Sequence, residues 1–266
     1  MLSPRSDRAD AILKAQKLLD QCGISSVPVD LFLLARRQGI LNVREMDVRL
    51  DGQLLALASG GYEVILSKSA PVSRRRFTLA HEIAHTFFLS SKSSDGLSCG
   101  NSETEELCNL AASEMLMPTR VLKSIFSSAH DLTIDSLLEG SRLFQCSLEA
   151  LGWKVLNSDL LTGVLLIWRE KMQGAERYLE LAAFPHTWGF DTGLAKATLV
   201  RPGDPVWDAV MRGDSGRVDF RFGKEQAAQA EYKRLRQGAL VLIKIGRESF
   251  VDSPASAKPV QGKLGF

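Results

Sequence analysis

The chain has 266 residues, 45% of them hydrophobic and 24% charged, with a formal net charge of +2. This length supports one large domain or two modest ones, and the composition is ordinary for a soluble globular protein. Near-balanced charge gives no general reason to expect a nucleic-acid binder, no apolar run reaches membrane-spanning length, and the segment Met1 to Asp20 lacks the pattern of a secretory signal, so the expected location is the cytoplasm.

Residues 7–20 place Ala11, Ile12, Ala15, Leu18 and Leu19 at helical spacing, with Gly23 as a stop signal. Asp30 is positioned to cap a second short helix, Leu31 to Arg37, that ends before Gly39. Leu54–Ala58 and Tyr62–Ser67 are short apolar runs around Ser59-Gly60-Gly61, which reads as a β-hairpin. After Pro71, helical periodicity returns over Phe77–Leu89. A Ser/Gly-rich loop covers Ser90–Gly100, and the next helix runs from Ser102 to Met117, closed by Pro118. Two or three further helices are expected between Thr119 and Asn157. Beyond residue 160, Leu160–Trp168, Tyr178–Phe184 and Ala239–Ile245 read as strands, and 204–212 and 224–237 as helices.

The expected class is α+β. Its parts are a core over 1–118, a helix-turn-helix-like segment over 119–158, a smaller mixed α/β domain over 159–252 and a flexible tail over 253–266.

The chemistry is concentrated in His81-Glu82-Ile83-Ala84-His85, an H-E-x-x-H motif inside a predicted helix. Positions i and i+4 stack on one helix face, so both imidazoles can reach a single metal ion. Glu82 then sits beside a water molecule at the ion, where it can take a proton and later return it to a leaving amine. Zinc is the expected ion, with manganese the other candidate.

A hydrolytic zinc site needs a third protein ligand and an open position. The following helix offers Glu103, Glu105, Glu106 and Glu114. Glu105 is the choice because it lies one turn before Asn109 on the same face, with small Ala112 beyond. Asn109 can hydrogen-bond a ligand histidine and fix its ring. Two alternatives stay open: Ser102-Glu-Thr-Glu105 also matches a capping box, which would occupy Glu105 at the helix end, and Glu106 is the next candidate ligand.

The stretch Arg74-Arg-Arg-Phe-Thr-Leu-Ala-His-Glu-Ile-Ala-His85, followed by Glu105-Glu-Leu-Cys-Asn109-Leu-Ala-Ala-Ser-Glu-Met-Leu-Met-Pro118, resembles the ImmA/IrrE family of zinc metallopeptidases. The resemblance implies a zincin-like fold and a gluzincin-like site of two His and one Glu. It also implies a regulatory endopeptidase that cleaves a helix-turn-helix repressor, in stress response or mobile-element transfer, with a GAF-like sensor domain from about residue 160. Cys108 stands where that family usually has Ala, and Ala111 where it usually has Phe. Neither is expected to touch the ligands, although Ala111 should thin the packing behind the second helix.

Other features carry less. Ile134–Leu143 and Ser147–Leu156 form a helix-turn-helix pattern, but the second helix offers only Lys154 against Glu149, too little for phosphate contacts, so no direct nucleic-acid partner is expected. Arg74, Arg75 and Arg76 open a helix, where the macrodipole disfavours cations. They read as a solvated turn, as partners of carboxylates or as a lining of the substrate cleft. His130 is a surface histidine or a group beside the reaction centre; His186 has no assigned role. Trp153, Trp168, Trp188 and Trp207 read as core and boundary residues, and Cys22, Cys99, Cys108 and Cys146 as reduced thiols. The main competing function is a non-catalytic, zinc-containing interaction protein that regulates a transcription factor by binding, its site closed by a fourth ligand such as His130. A small-molecule hydrolase or aminopeptidase is a third reading.

Overall fold

The structure is a computed structural model and describes residues 4–89, 102–127, 132–189, 198–213, 215–222 and 226–245. The loop expected over 90–100, His130 and the tail from residue 253 lie outside the described residues. The chain divides into two compact units, Met1–Ile125 with Gly140–Ser147, and Phe126–Glu139 with Leu148–Phe266. This division follows packing, whereas the boundaries after residues 118 and 158 follow composition.

In the first unit, helix α1 (Pro4–Gln21) buries Ala11, Ala15, Leu18 and Leu19 on one face, at the spacing its sequence predicts. Helix α2 (Leu31–Arg37) begins where expected: the Asp30 carboxylate accepts from the N–H groups of Phe32 and Leu33 at 3.0 and 3.2 Å. Such a cap stabilises a helix by about 1 kcal/mol.

A three-stranded sheet follows, built from β1 (Ile40–Met46), β2 (Gly52–Ala56) and β3 (Tyr62–Ser67) in the order β1-β3-β2. The β2–β3 pair is the anticipated antiparallel hairpin, turned by Gly60 and Gly61 at φ 89° and 79°, a region open to glycine at little cost. Strand β1 was not foreseen. It runs parallel to β3 with only Ile40 buried, so it offers no inside–outside alternation for a sequence pattern to reveal.

Helix α3 (Val72–His85) begins directly after Pro71, five residues earlier than its apolar periodicity suggests, and α4 (Ser102–Leu116) packs along it. Ala80, Ile83 and Ala84 of α3 and Cys108, Ala111 and Ala112 of α4 are fully buried. Side chains as small as alanine at four of these positions suit the close packing of helices that brings polar groups on α3 and α4 within reach of each other. Helix α5 (Thr119–Ile125) follows Pro118.

Helix α6 (Ile134–Leu143) starts in the second unit and ends in the first. The remainder of the second unit comprises α7 (Leu148–Leu156), β4 (Gly163–Gln173), β5 (Glu176–Ala183), β6 (Leu199–Val200), α8 (Pro205–Arg212), β7 (Ser215–Phe222), β8 (Gln226–Leu235) and β9 (Gly238–Lys244). The six strands form an antiparallel sheet in the order β6-β5-β4-β9-β8-β7. One sheet face buries Val164, Leu166, Trp168, Leu181, Val241 and Ile243, joined by Trp207 and Val210 of α8.

Residues 224–237, expected as a helix, contain strand β8. Ala, Gln, Glu and Lys give this stretch a helical composition, but it pairs with β7 on one side and β9 on the other. Pairing on both edges overrides a weak local preference. Helices and sheets thus segregate along the chain, the α+β class the sequence predicts. Among the described residues, no helix is long and apolar enough to cross a membrane.

Candidate metal centre

Helix α3 presents His81 and His85 one turn apart, with ring centroids 4.7 Å apart and their Nε2 atoms separated by 3.1 Å. Helix α4 adds Glu105, whose Oε2 lies 3.1 Å from His81 Nε2 and whose Oε1 lies 3.5 Å from His85 Nε2. One donor atom from each residue falls within 4.8 Å of the others. The histidine side chains are 14% and 13% exposed and Glu105 is 35% exposed, so the cluster is sheltered without being sealed.

The other acidic residues of α4 lie elsewhere. Glu106 pairs with Arg8 of α1. Glu114 is buried, accepting from Gln16 at 3.1 Å and from the Thr119 N–H and hydroxyl at 3.0 and 2.6 Å, which ties α4 to the start of α5. Glu103 is exposed.

Asn109 Oδ1 lies 3.0 Å from His81 Nδ1. An amide oxygen only accepts, so Nδ1 carries the proton and His81 Nε2 presents a lone pair. That lone pair faces a carboxylate oxygen and a second imidazole nitrogen. Acceptors converging at these distances repel unless a cation lies between them. Tetrahedral zinc with bonds of about 2.0–2.1 Å sets its ligand atoms about 3.3 Å apart, and the separations found here are 3.1, 3.1 and 3.5 Å. The donor set fits zinc.

One expectation is corrected. Cys108, read from sequence as remote from the ligands, places Sγ 3.5 Å from His85 Nδ1. Its position three residues after Glu105 was the available signal, since i and i+3 share a helix face. The other substituted position, Ala111, is fully buried.

Glu82 is 8% exposed, and its carboxylate accepts a hydrogen bond from the Leu54 backbone N–H on β2. Burial, reinforced by the charge of Glu105, raises its pKa to about 7 despite that hydrogen bond. Burial also lowers the pKa of His85, as does His81, against the opposing pull of Glu105. Sequence reasoning missed the contribution of β2, because a backbone donor leaves no trace in residue identity.

Arg74 pairs with Asp51, its Nε 2.8 Å from Oδ2, and Arg75 pairs with Glu45 at 2.7 Å. Arg76 donates to the Val29 carbonyl at 2.8 Å. All three are spoken for by neighbouring loops and strands, as a carboxylate-paired or structural role requires. In the second unit His186 is half-buried, stacked on Phe184 at 5.7 Å between centroids. Trp168 and Trp207 are core residues, while Trp188 is 57% exposed.

Residues 36–155 match a peptidase family model described as the IrrE N-terminal-like domain. No curated protein matches the chain. Among solved structures, a Mycobacterium tuberculosis transcriptional regulator is similar, with a TM-score of 0.52 and 13% identity over 89% of this chain and 76% of that one. At that identity the likeness concerns the fold alone.

Proposed function

We propose, on the premise of the match between residues 36–155 and the IrrE N-terminal-like domain model, that the chain is a zinc-dependent endopeptidase. The observation that carries this reading is the convergence of His81, His85 and Glu105 acceptor atoms beside a buried carboxylate on the same helix. His81, His85 and Glu105 would hold the ion, with manganese the other metal such donors accept. When bound, zinc supplies Lewis acidity, lowering the pKa of water to about 7 and polarising a peptide carbonyl.

The protein's own groups do the rest. Glu82 takes the proton from the attacking water and delivers it to the departing amine nitrogen. A carboxyl titrating near neutrality can serve in both directions. The Leu54 N–H orients that carboxylate, and Asn109 holds the His81 ring.

We read the substrate as a helix-turn-helix repressor, which makes the enzyme a regulatory protease. The motif resemblance supports this, and the fold likeness to a protein described as a transcriptional regulator accords with it. Helix α7, with Lys154 against Glu149, gives no reason to add a nucleic-acid contact. The second unit, a six-stranded antiparallel sheet with helix α8 against one face, suits a GAF-like sensor of the inducing signal.

The test is incubation of the full-length, zinc-loaded protein with a helix-turn-helix repressor encoded beside it. Cleavage that stops with a chelator, and with Glu82→Gln, is the expected result. Cleavage that persists under both treatments overturns the mechanism, and capture of the repressor without cleavage favours regulation by binding.

A further inference from the structure

Three residues on one face of α4 address the two imidazoles of α3. Glu105 reaches both Nε2 atoms, Asn109 meets His81 at Nδ1, and Cys108 meets His85 at Nδ1. Their spacing of i, i+3 and i+4 puts them side by side on a helix surface. Each imidazole is thus addressed at both nitrogens by this one helix.

We propose that Cys108 is the positioning residue of His85, its sulfur accepting the Nδ1–H and so turning the Nε2 lone pair toward the metal. This rests on the metal-site reading above.

The direction of the hydrogen bond follows from the chemistry. Were the thiol to donate to Nδ1, the neutral ring would carry its proton on Nε2, and that nitrogen could not bind a cation. With Nδ1 protonated and sulfur accepting, Nε2 is free to ligate. Sulfur is a weak acceptor, but two facts favour it here. Cys108 is fully buried, so bulk water does not compete for the ring proton there. The 3.5 Å separation suits a nitrogen–sulfur contact. An alanine at residue 108 would offer no acceptor, leaving the ring free to change tautomer and to rotate about χ2.

The test titrates metal-free, full-length protein with Zn²⁺ in competition with a chromophoric chelator, for the wild type, Cys108→Ala and Cys108→Ser. Partners that orient a ligand histidine contribute about 10–100-fold to metal affinity. A weak acceptor belongs at the low end, so Cys108→Ala is expected to weaken zinc binding about tenfold. Cys108→Ser, which restores an acceptor, is expected to lie closer to the wild type.

A second measurement needs no variant. In the zinc-loaded wild type, the His85 Nδ1 proton seen by ¹⁵N-resolved NMR should exchange slowly with solvent. A Cys108→Ala protein that binds zinc as tightly as the wild type but melts at a lower temperature makes Cys108 a packing residue, overturning the proposal. So does a His85 Nδ1 that carries no proton or exchanges as fast as a free imidazole. A wild type that binds no zinc instead overturns the metal-site reading itself, so the two failures are distinguishable.

Discussion

Gly52 faces Thr78 so closely that a Cβ at residue 52 would overlap the Thr78 methyl group and come within 3.3 Å of Glu82 Oε1. The missing side chain lets β2 lie against α3, which is what allows the Leu54 N–H to reach the Glu82 carboxylate. Gly52→Ala should therefore cost about 1–3 kcal/mol through overpacking. It should also slow peptide hydrolysis while leaving zinc binding intact. Denaturant melts and a zinc titration on the same preparation check both halves.

Adjacent carboxylates on α4 separate the ligand from its neighbour. Glu105→Gln is expected to weaken zinc binding beyond the roughly 100-fold that outer partners cost at most. Glu106→Gln removes only an exposed pair with Arg8, a loss of at most about 1 kcal/mol in stability, and should leave zinc affinity unchanged. Equal loss in both variants would contradict this assignment.

Asn109→Ala should reduce zinc affinity about 10–100-fold by releasing the His81 ring. Asn109→Asp keeps an acceptor at that point and should retain most of it. Chelator competition on the two variants makes the comparison.

Removing the metal should lower the melting temperature. A ligand that binds only the folded chain, present at 100 times its dissociation constant, contributes about 2.7 kcal/mol. Thermal melts with and without chelator should differ accordingly for the wild type, and should coincide for a double His81→Ala, His85→Ala variant.

Cys146 is 8% exposed, and burial raises its thiol pKa from 9.0 to about 12. The native thiol should resist alkylation at pH 8 and react once the protein is unfolded in urea. Its contribution to stability is whole below the unfolded pKa of 9.0 and fades as pH climbs through about 12. Mass spectrometry of iodoacetamide-treated protein, with and without urea, checks the first statement.

Local chemistry was the legible part of this chain. The Asp30 cap, the glycine turn between β2 and β3, and the i, i+4 histidines each announce themselves within a few residues. The placement of Glu105 beside the two histidines was also reachable, because its spacing from Asn109 defines a helix face. What escaped depends on distant partners. Strand β1 shows no alternating burial because it lies at a sheet edge, and β8 has the composition of a helix but is held by two neighbours. The spacing of Cys108 from Glu105 puts it on the ligand face, but which imidazole nitrogen it meets depends on how the two helices are rotated about their axes.

Helix α6 has its own consequence. The polypeptide crosses between its two packing units at residues 125/126, 139/140 and 147/148, an odd number of passages made partly within one continuous helix. No single proteolytic nick can therefore release either half with all its parts. Shortening the gene after residue 147 would strand Ile134 and Asp135 away from Glu231 and Lys233 of β8, with which they pair, and starting it at residue 148 would strip the same two residues from the other side. Dissection of this protein calls for circular rearrangement or co-expressed fragments rather than simple truncation.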